Sequence, residues 1–368
     1  MALAACQPAG TGAPVAMNQA PGARSPGQAG QVAILLPLSG RLGDVGKPML
    51  RAAQLSLAQP GSPVLEAKDT GGTPEGAARA AREAIAAGAR MILGPLTSAE
   101  TAQVAPVARQ AGVPVLAFTN DQSQSQPGVW TLGITPGQQI DRLLAAVRDA
   151  GREPVAALLP NNDFGRAMAE ALNRAAAGAG LPPPFVRMHD SGKDAIAAAV
   201  NDLAATVTEG QPPPFGSVLL GATGNDLKLF AKAFADSKID RTKVRILGPA
   251  LWVEPASGSP ALVGAWFAMP DPDTRREMSA TYEARYKEAP PARADLAHDA
   301  ASIARVLAGQ GRMTTAGLTQ PVGFNGVDGW LALSPDGQVR RGLAVFRVER
   351  SRPVRIGPAP VGGSKPGS

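Results

Sequence analysis

From residue 31 onward the chain repeats one unit: a short apolar run, a polar break, then an amphipathic stretch of helical period. Apolar runs stand at Val32–Leu38, Val64–Asp69, Met91–Leu96, Val113–Phe118, Val155–Leu159, Phe185–His189, Ser217–Gly221 and Val244–Leu247. They are continuous rather than alternating, as strands covered on both faces require. Stretches such as "PEGAARAAREAIAAGA" (74–89) and "GQQIDRLLAAVRDAG" (137–151) lie between them. Gly88, Gly112 and Gly151 stand where a helix must stop before the next strand. Strand–helix–strand repetition with right-handed crossovers gives doubly wound parallel sheets, an α/β architecture.

So many strands exceed one comfortable sheet, which predicts two lobes. The first break falls in "VWTLGITPGQQ" (129–139), where a short strand meets Thr135-Pro136 before a new helix. The second falls in "GAWFAMPDPD" (264–273), another strand ended by proline. Two helices follow, "TRREMSATYEARYK" and "DLAHDAASIARVLAG". In "GFNGVDGWLALSPDGQVRRGLAVFRVER", Pro335-Asp336-Gly337 is a turn between two strands and predicts a hairpin.

Charge and cysteine usage narrow the function classes. From Gly337 to the end, seven basic side chains face Glu349 alone, which accounts for the whole surplus of +6. That segment reads as a solvated tail or as a patch for anionic headgroups or an acidic partner. No aromatic-studded basic groove accompanies it, which argues against nucleic acid as a partner. The one cysteine, Cys6, sits in "LAAC", the pattern of a bacterial lipobox, and a Gly/Pro/Gln/Ala segment through residue 30 follows as a flexible tether. Chance in an Ala-rich chain is the competing reading. Only five residues precede Cys6, so a complete export signal would extend further upstream. With no apolar run long enough to span a bilayer, a lipid on Cys6 is the expected membrane attachment.

The chain resembles the type I periplasmic binding proteins, in their leucine/isoleucine/valine-binding branch. "VAILLPLSGRLGDVGKPMLRAAQLSLA" is similar to the family's opening strand, loop and helix. "AKDTGGTPEGAARAAREAIAAGARMILGPLTSAETAQVAPVARQAGVPVLAF" is similar to the next three units with the ligand loop, and "LLPNNDFGRAMAEAL" to a segment where relatives carry Asp-Tyr-Gly. The resemblance covers about residues 31–350. It implies two doubly wound lobes, 31–136 with 271–330 and 137–270 with 331–357, joined by a three-crossing hinge around a cleft, with 358–368 as a disordered tail. "LGPALWVEP", "GAWFAMPDP", "HDAASIARVLA" and the hairpin phrase further resemble envelope lipoproteins known as penicillin-binding-protein activators. The resemblance thus implies a class A penicillin-binding protein as partner, or the permease of an ABC importer, with room for a small-molecule ligand between the lobes. It places the protein in the periplasm, and Gln7 after Cys6 favours the outer membrane.

In amino-acid-binding relatives the loop matching "GPLTSAET" meets the ligand carboxylate, which singles out Thr97, Ser98 and Ala99. Thr97 with Glu100 three residues on is equally a capping box, so helix initiation alone explains much of the loop. Glu100 in the first turn would repel a second carboxylate. In "AFTND", Thr119 and Asp121 match the residues that grip the ligand's head. On the other lobe Phe164 replaces a tyrosine and lacks its hydroxyl, and Asn225 and Asp226 stand where relatives supply an acid for the α-ammonium. Asp226 also fits as a helix N-terminal charge. The site for a zwitterion is thus expected to be incomplete, since each charge of an α-amino acid needs a desolvated partner.

Catalysis is not expected. The two histidines, His189 and His298, stand in separate contexts and form no zinc signature. There is no Gly-x-Ser-x-Gly elbow, no Ser-x-x-Lys and no phosphate-cradling glycine loop. "DFG" at 163–165 lacks the catalytic and glycine loops that give it meaning in kinases. No cofactor is expected.

Overall fold

Residues 30–252 and 260–360 are described by a computed structural model of the chain. The expected anchor Cys6, its tether up to residue 29 and the tail from residue 361 lie outside the described residues.

The first strand, β1 (Gln31–Leu36), shows why the apolar runs are continuous. Val32, Ile34 and Leu36 enter one core and Ala33 and Leu35 another, and all five are fully buried. The chain continues through α1 (Gly43–Ser56), β2 (Val64–Asp69), α2 (Pro74–Ala86), β3 (Ala89–Leu93), α3 (Ser98–Gln110), β4 (Val115–Ala117) and β5 (Val129–Thr131). These strands form one parallel sheet in the order β2-β1-β3-β4-β5. The alanines of α2 and α3 pack closely on one face, and Met49 and Ala53 of α1 on the other. Gly88 and Gly112 take φ of 93° and 67° just past the ends of α2 and α3, the left-handed stop expected of them.

The second lobe runs α4 (Pro136–Asp149), β6 (Val155–Pro160), α5 (Asp163–Gly178), β7 (Val186–His189), α6 (Lys193–Ala204), β8 (Ser217–Leu220), α7 (Gly224–Ala235), β9 (Arg245–Gly248) and β10 (Trp266–Met269). Here α4 and α5 cover one face through Ile140, Leu143 and Leu172, while α6 and α7 cover the other through Val200, Phe230 and Phe234. The chain then returns. α8 (Arg276–Tyr286) packs Tyr282 beside Ala52 of α1, and α9 (Ala294–Gly309) completes the first lobe's core with Ala297, Ala301 and Leu307.

A short α10 (Thr315–Leu318) leads into an antiparallel sheet of β11 (Phe324–Gly326), β12 (Gly329–Leu333) and β13 (Val339–Arg341). The expected Pro335-Asp336-Gly337 hairpin forms here: Gly337 N–H donates to Ser334 and has φ of 89°. A Cβ on Gly337 would come within 2.4 Å of the Gln126 backbone, so close packing as well as the turn demands glycine. This sheet corrects the expected lobe boundary. Phe324, Leu331, Leu333 and Val339 belong to the core of β1, α1 and α9, and Trp130 Nε1 donates to Ser334 O at 2.8 Å. Residues 331–341 therefore pack with the first lobe, and the chain crosses at 342–343. β14 (Ala344–Arg347) and β15 (Val354–Gly357) then extend the second sheet, ordered β15-β14-β10-β9-β8-β6-β7, through antiparallel pairing. Residues 358–360, expected in the tail, are also seated: Arg142 Nη2 donates to Pro358 O at 3.1 Å.

Three segments thus join the lobes, at 132–135, 270–275 and 342–343. Side chains fasten them. Arg341 Nη2 donates to Leu132 O at 2.6 Å, Gln138 Nε2 to Val339 O at 2.7 Å, and Arg142 Nε to Leu343 O at 2.8 Å. Arg355 bonds to Asp271 and reaches Asp273 at 3.4 Å, tying β15 to the second crossing.

Candidate functional site

In an open α/β sheet ligands gather beyond the carboxyl ends of the strands, and both lobes place their candidate residues there. On the first lobe the loop after β3 turns directly into α3. Thr97 is the N-cap: its Oγ1 accepts from Glu100 N–H at 3.3 Å, and Glu100 Oε2 accepts from Thr97 N–H at 2.9 Å. The capping box read from the sequence is formed. Glu100 does more than cap, because it is fully buried and accepts from two further hydroxyls, Thr97 Oγ1 at 2.8 Å and Thr70 Oγ1 at 2.6 Å. Its carboxylate is consumed inside the protein and does not line the ligand loop.

Ser98, Thr119 and Asp121 come together, although the last two lie on the loop after β4. Ser98 Oγ donates to Asp121 Oδ2 and stands 3.5 Å from Thr119 Oγ1. Asp121 N–H donates to Thr119 Oγ1 at 3.1 Å, and Asp121 Oδ1 accepts from Ser123 N–H at 3.0 Å and Ser123 Oγ at 2.7 Å. Burial alone would raise the Asp121 pKa, but the hydrogen bonds from Ser98 and Ser123 outweigh it and hold the carboxyl below its ordinary range. Asp121 is therefore a carboxylate at working pH. A serine hydroxyl has one proton to give, and Ser98 gives it to Asp121. Ala99 is exposed beside it, and the N–H groups of Ser98 and Ala99 have no hydrogen-bond partner among the described residues. The helix start that could receive a ligand's carboxylate thus has the chain's own carboxylate beside it. Ser98→Ala is expected to raise the Asp121 pKa, read by carboxyl carbon shifts in an NMR titration.

The second lobe offers less. Phe164, in the first turn of α5, is half-buried against the core of α4 and β6. Asn225 is exposed. Asp226 is half-buried, and its Oδ1 accepts from Gly192 N–H at 3.3 Å, tying the start of α7 to the start of α6. No hydrogen bond or ion pair among the described residues joins these three to the first-lobe group. Of the two histidines, His189 Nδ1 pairs with Asp190 O at 2.9 Å and stands edge-on to Phe230, while His298 Nδ1 lies 3.8 Å from Asp299. His189 is buried and His298 half-buried.

A separate cavity of about 520 Å³ lies on the flank of the hinge, lined by α4, α5, the 122–125 segment and residues 338–340. None of the cleft residues read from the sequence lines it. Its walls come from segments some 200 residues apart, and no local motif announces it.

Two α/β lobes joined by three crossings, with polar loops at their strand ends, define a bilobal binding protein. The chain belongs to the periplasmic binding protein family, whose model matches residues 31–353. No curated protein matches it by sequence. Among solved structures it is similar to a candidate branched-chain amino acid ABC transporter protein from Rhodospirillum rubrum, with 19% identity, TM-score 0.75, and 89% of this chain and 99% of that one covered. It is similar also to the C-domain of LpoA from Haemophilus influenzae, a regulator of PBP1A, with 17% identity, TM-score 0.68, and 89% and 99% covered. A third is an ABC-transporter solute-binding protein from R. palustris in complex with benzoate, with 18% identity, TM-score 0.57, and 90% and 97% covered.

Proposed function

We propose that this chain is a non-enzymatic envelope lipoprotein, anchored in the periplasm through Cys6 to the outer membrane, that regulates a class A penicillin-binding protein by docking to it. The observation carrying this reading is the commitment of Ser98 to Asp121. An α-amino acid would bring its carboxylate to a helix start that already has a carboxylate beside it. Its ammonium would look for an acid on the second lobe, where Asp226 is engaged by Gly192 and Asn225 is neutral. Leaving such a charge unpaired in a closed cleft costs several kcal/mol. A binding-protein fold with its amino-acid contacts engaged internally fits a protein partner better than a free amino acid. The fold shared with the LpoA C-domain agrees with that role.

Tagged full chain is expected to retain a class A penicillin-binding protein from solubilised envelopes and to alter its glycan polymerisation when both are purified. No retention together with unchanged polymerisation would overturn the proposal. The second reading is a solute receptor for an ABC permease, favoured by the free N–H groups of Ser98 and Ala99 and the Thr119 hydroxyl. It predicts a ligand of small size whose binding at 100 times its Kd adds about 2.7 kcal/mol of stability. Leucine, isoleucine and valine are expected to give no thermal shift, and a shift with any of them would favour the receptor over the regulator.

A further inference from the structure

The cavity on the hinge flank has a charge pattern of its own. One wall is second lobe, from α4 and α5; the other is first lobe, from Gln122, Ser125, Thr131 of β5, and Gln338 with Val339 and Arg340 of β13. At about 520 Å³ it has the size of a small-molecule site. It also adjoins two of the three crossings, since Thr135 lies on the first and Arg340 just before the third.

Most of its polar lining is satisfied internally. Gln138 accepts from Thr135 N–H at 3.1 Å and donates to Val339 O. Gln122 donates to Gln338, and Ser125 and Thr131 share a 2.8 Å hydrogen bond. The arginines are the exception. Three line the cavity, Arg148, Arg174 and Arg340, against one carboxylate, Asp141. Arg148 is paired with Glu153 at 3.4 Å. Arg174 has only the field of Asp141, and Arg340 only the ring of Trp330, 5.7 Å from its guanidinium carbon. Neither makes a hydrogen bond among the described residues. The bare backbone of Gly137 keeps the floor open beneath Arg174, whose Nη2 lies 3.7 Å from where a Cβ there would stand.

Two guanidinium forks free of protein acceptors, one from each lobe, are open to anionic oxygens, which they bind in pairs and more strongly than neutral ones. We propose that this cavity is a binding site for a small dianion carrying two acidic groups, carboxylates or phosphates, one held by Arg174 and the other by Arg340. It is distinct from the cleft and does not depend on the role assigned to the chain above.

The test is calorimetric titration of the full chain, at low salt, with succinate, citrate, inorganic phosphate and pyrophosphate. Succinate and citrate distinguish carboxylate from phosphate as the preferred group. Succinate, citrate or pyrophosphate is expected to bind with unit stoichiometry and a submillimolar Kd that weakens with added salt, and more tightly than inorganic phosphate with its single acidic group. Both arginines are exposed and carry no structural hydrogen bond, so Arg174→Gln and Arg340→Gln fold, as melting curves will verify. Each is expected to weaken binding at least tenfold, while Arg82→Gln, which removes the same charge from an exposed site on α2 outside the cavity lining, leaves it unchanged. Absence of binding by succinate, citrate and pyrophosphate alike, binding unaltered in either arginine variant, or an equal loss in Arg82→Gln would each overturn the assignment.

Discussion

Glu100→Ala is expected to destabilise the chain by about 3 kcal/mol, more than any other single change in the ligand loop. The cause is specific. Glu100 is fully buried and receives one N–H and two hydroxyl protons, from Thr97 and Thr70. Truncation leaves those donors facing apolar surroundings, and each unsatisfied buried group costs about 1–3 kcal/mol before relaxation. Glu100→Gln separates geometry from charge. Glutamine serves as the third residue of a capping box, and its amide can donate to Thr70 Oγ1, so its loss should be near 1 kcal/mol. Thr97→Ala, which removes the cap, should also cost about 1 kcal/mol. Urea midpoints at unchanged slope measure all three. Equal losses for alanine and glutamine would mean that charge, rather than the hydrogen-bond set, holds the loop. A stable Glu100→Ala variant would remove the structural basis for the placement of Ser98.

The physics that made the fold legible is burial on two faces. Every one of the eight apolar runs read from the sequence forms a strand, because residues such as Ala33 and Ile34 must both be apolar when helices cover both sides of the sheet. The misplaced boundary has an equally plain cause. Leu331, Leu333 and Val339 announce a buried hairpin, but nothing in their pattern says which of two adjacent apolar cores receives it. The contacts that decide, Trp130 to Ser334 and Gln126 against Gly337, join residues some 200 apart. The cleft residues were legible only by resemblance, and what the resemblance could not carry was their internal pairing. Asp121 lies 23 residues from Ser98, and only the adjacency of β3 and β4 brings their loops together. The hinge-flank cavity left no trace in the sequence, since exposed arginines on helices are ordinary and their lack of partners is a tertiary fact.

Asp328→Asn is expected to gain about 2–3 kcal/mol of stability relative to the unaltered chain between pH 5 and pH 8. Asp328 sits between β11 and β12 in a buried cluster with Asp295 and Asp299. Their positive partners are Arg275, which holds Asp295 in a fork with one arm at 3.0 Å, and Arg341, 4.0 Å from Asp328, while the His298 ring stands beside Asp299. Asp299 is already engaged by the N–H groups of Val327 and Asp328. Three carboxyls thus share two permanent cations, and desolvation pushes Asp328 up to about 7 against the attraction of Arg341. In the unfolded chain the same group titrates near 3.9. Between those values the folded state keeps a proton that the unfolded state has released, so stability falls as pH rises from about 4 to about 7 and levels off above. Asparagine keeps the neutral shape and removes this term. It should therefore match the unaltered chain most nearly at low pH and exceed it at pH 8. Arg341 makes the effect reach the hinge, since the same guanidinium donates to Leu132 O at the first crossing and leaves its Nε and Nη1 without hydrogen bonds. Urea unfolding of both proteins at pH 5 and pH 8 decides the matter: a difference in stability that stays constant across that range would mean that Asp328 does not keep the proton in the folded state.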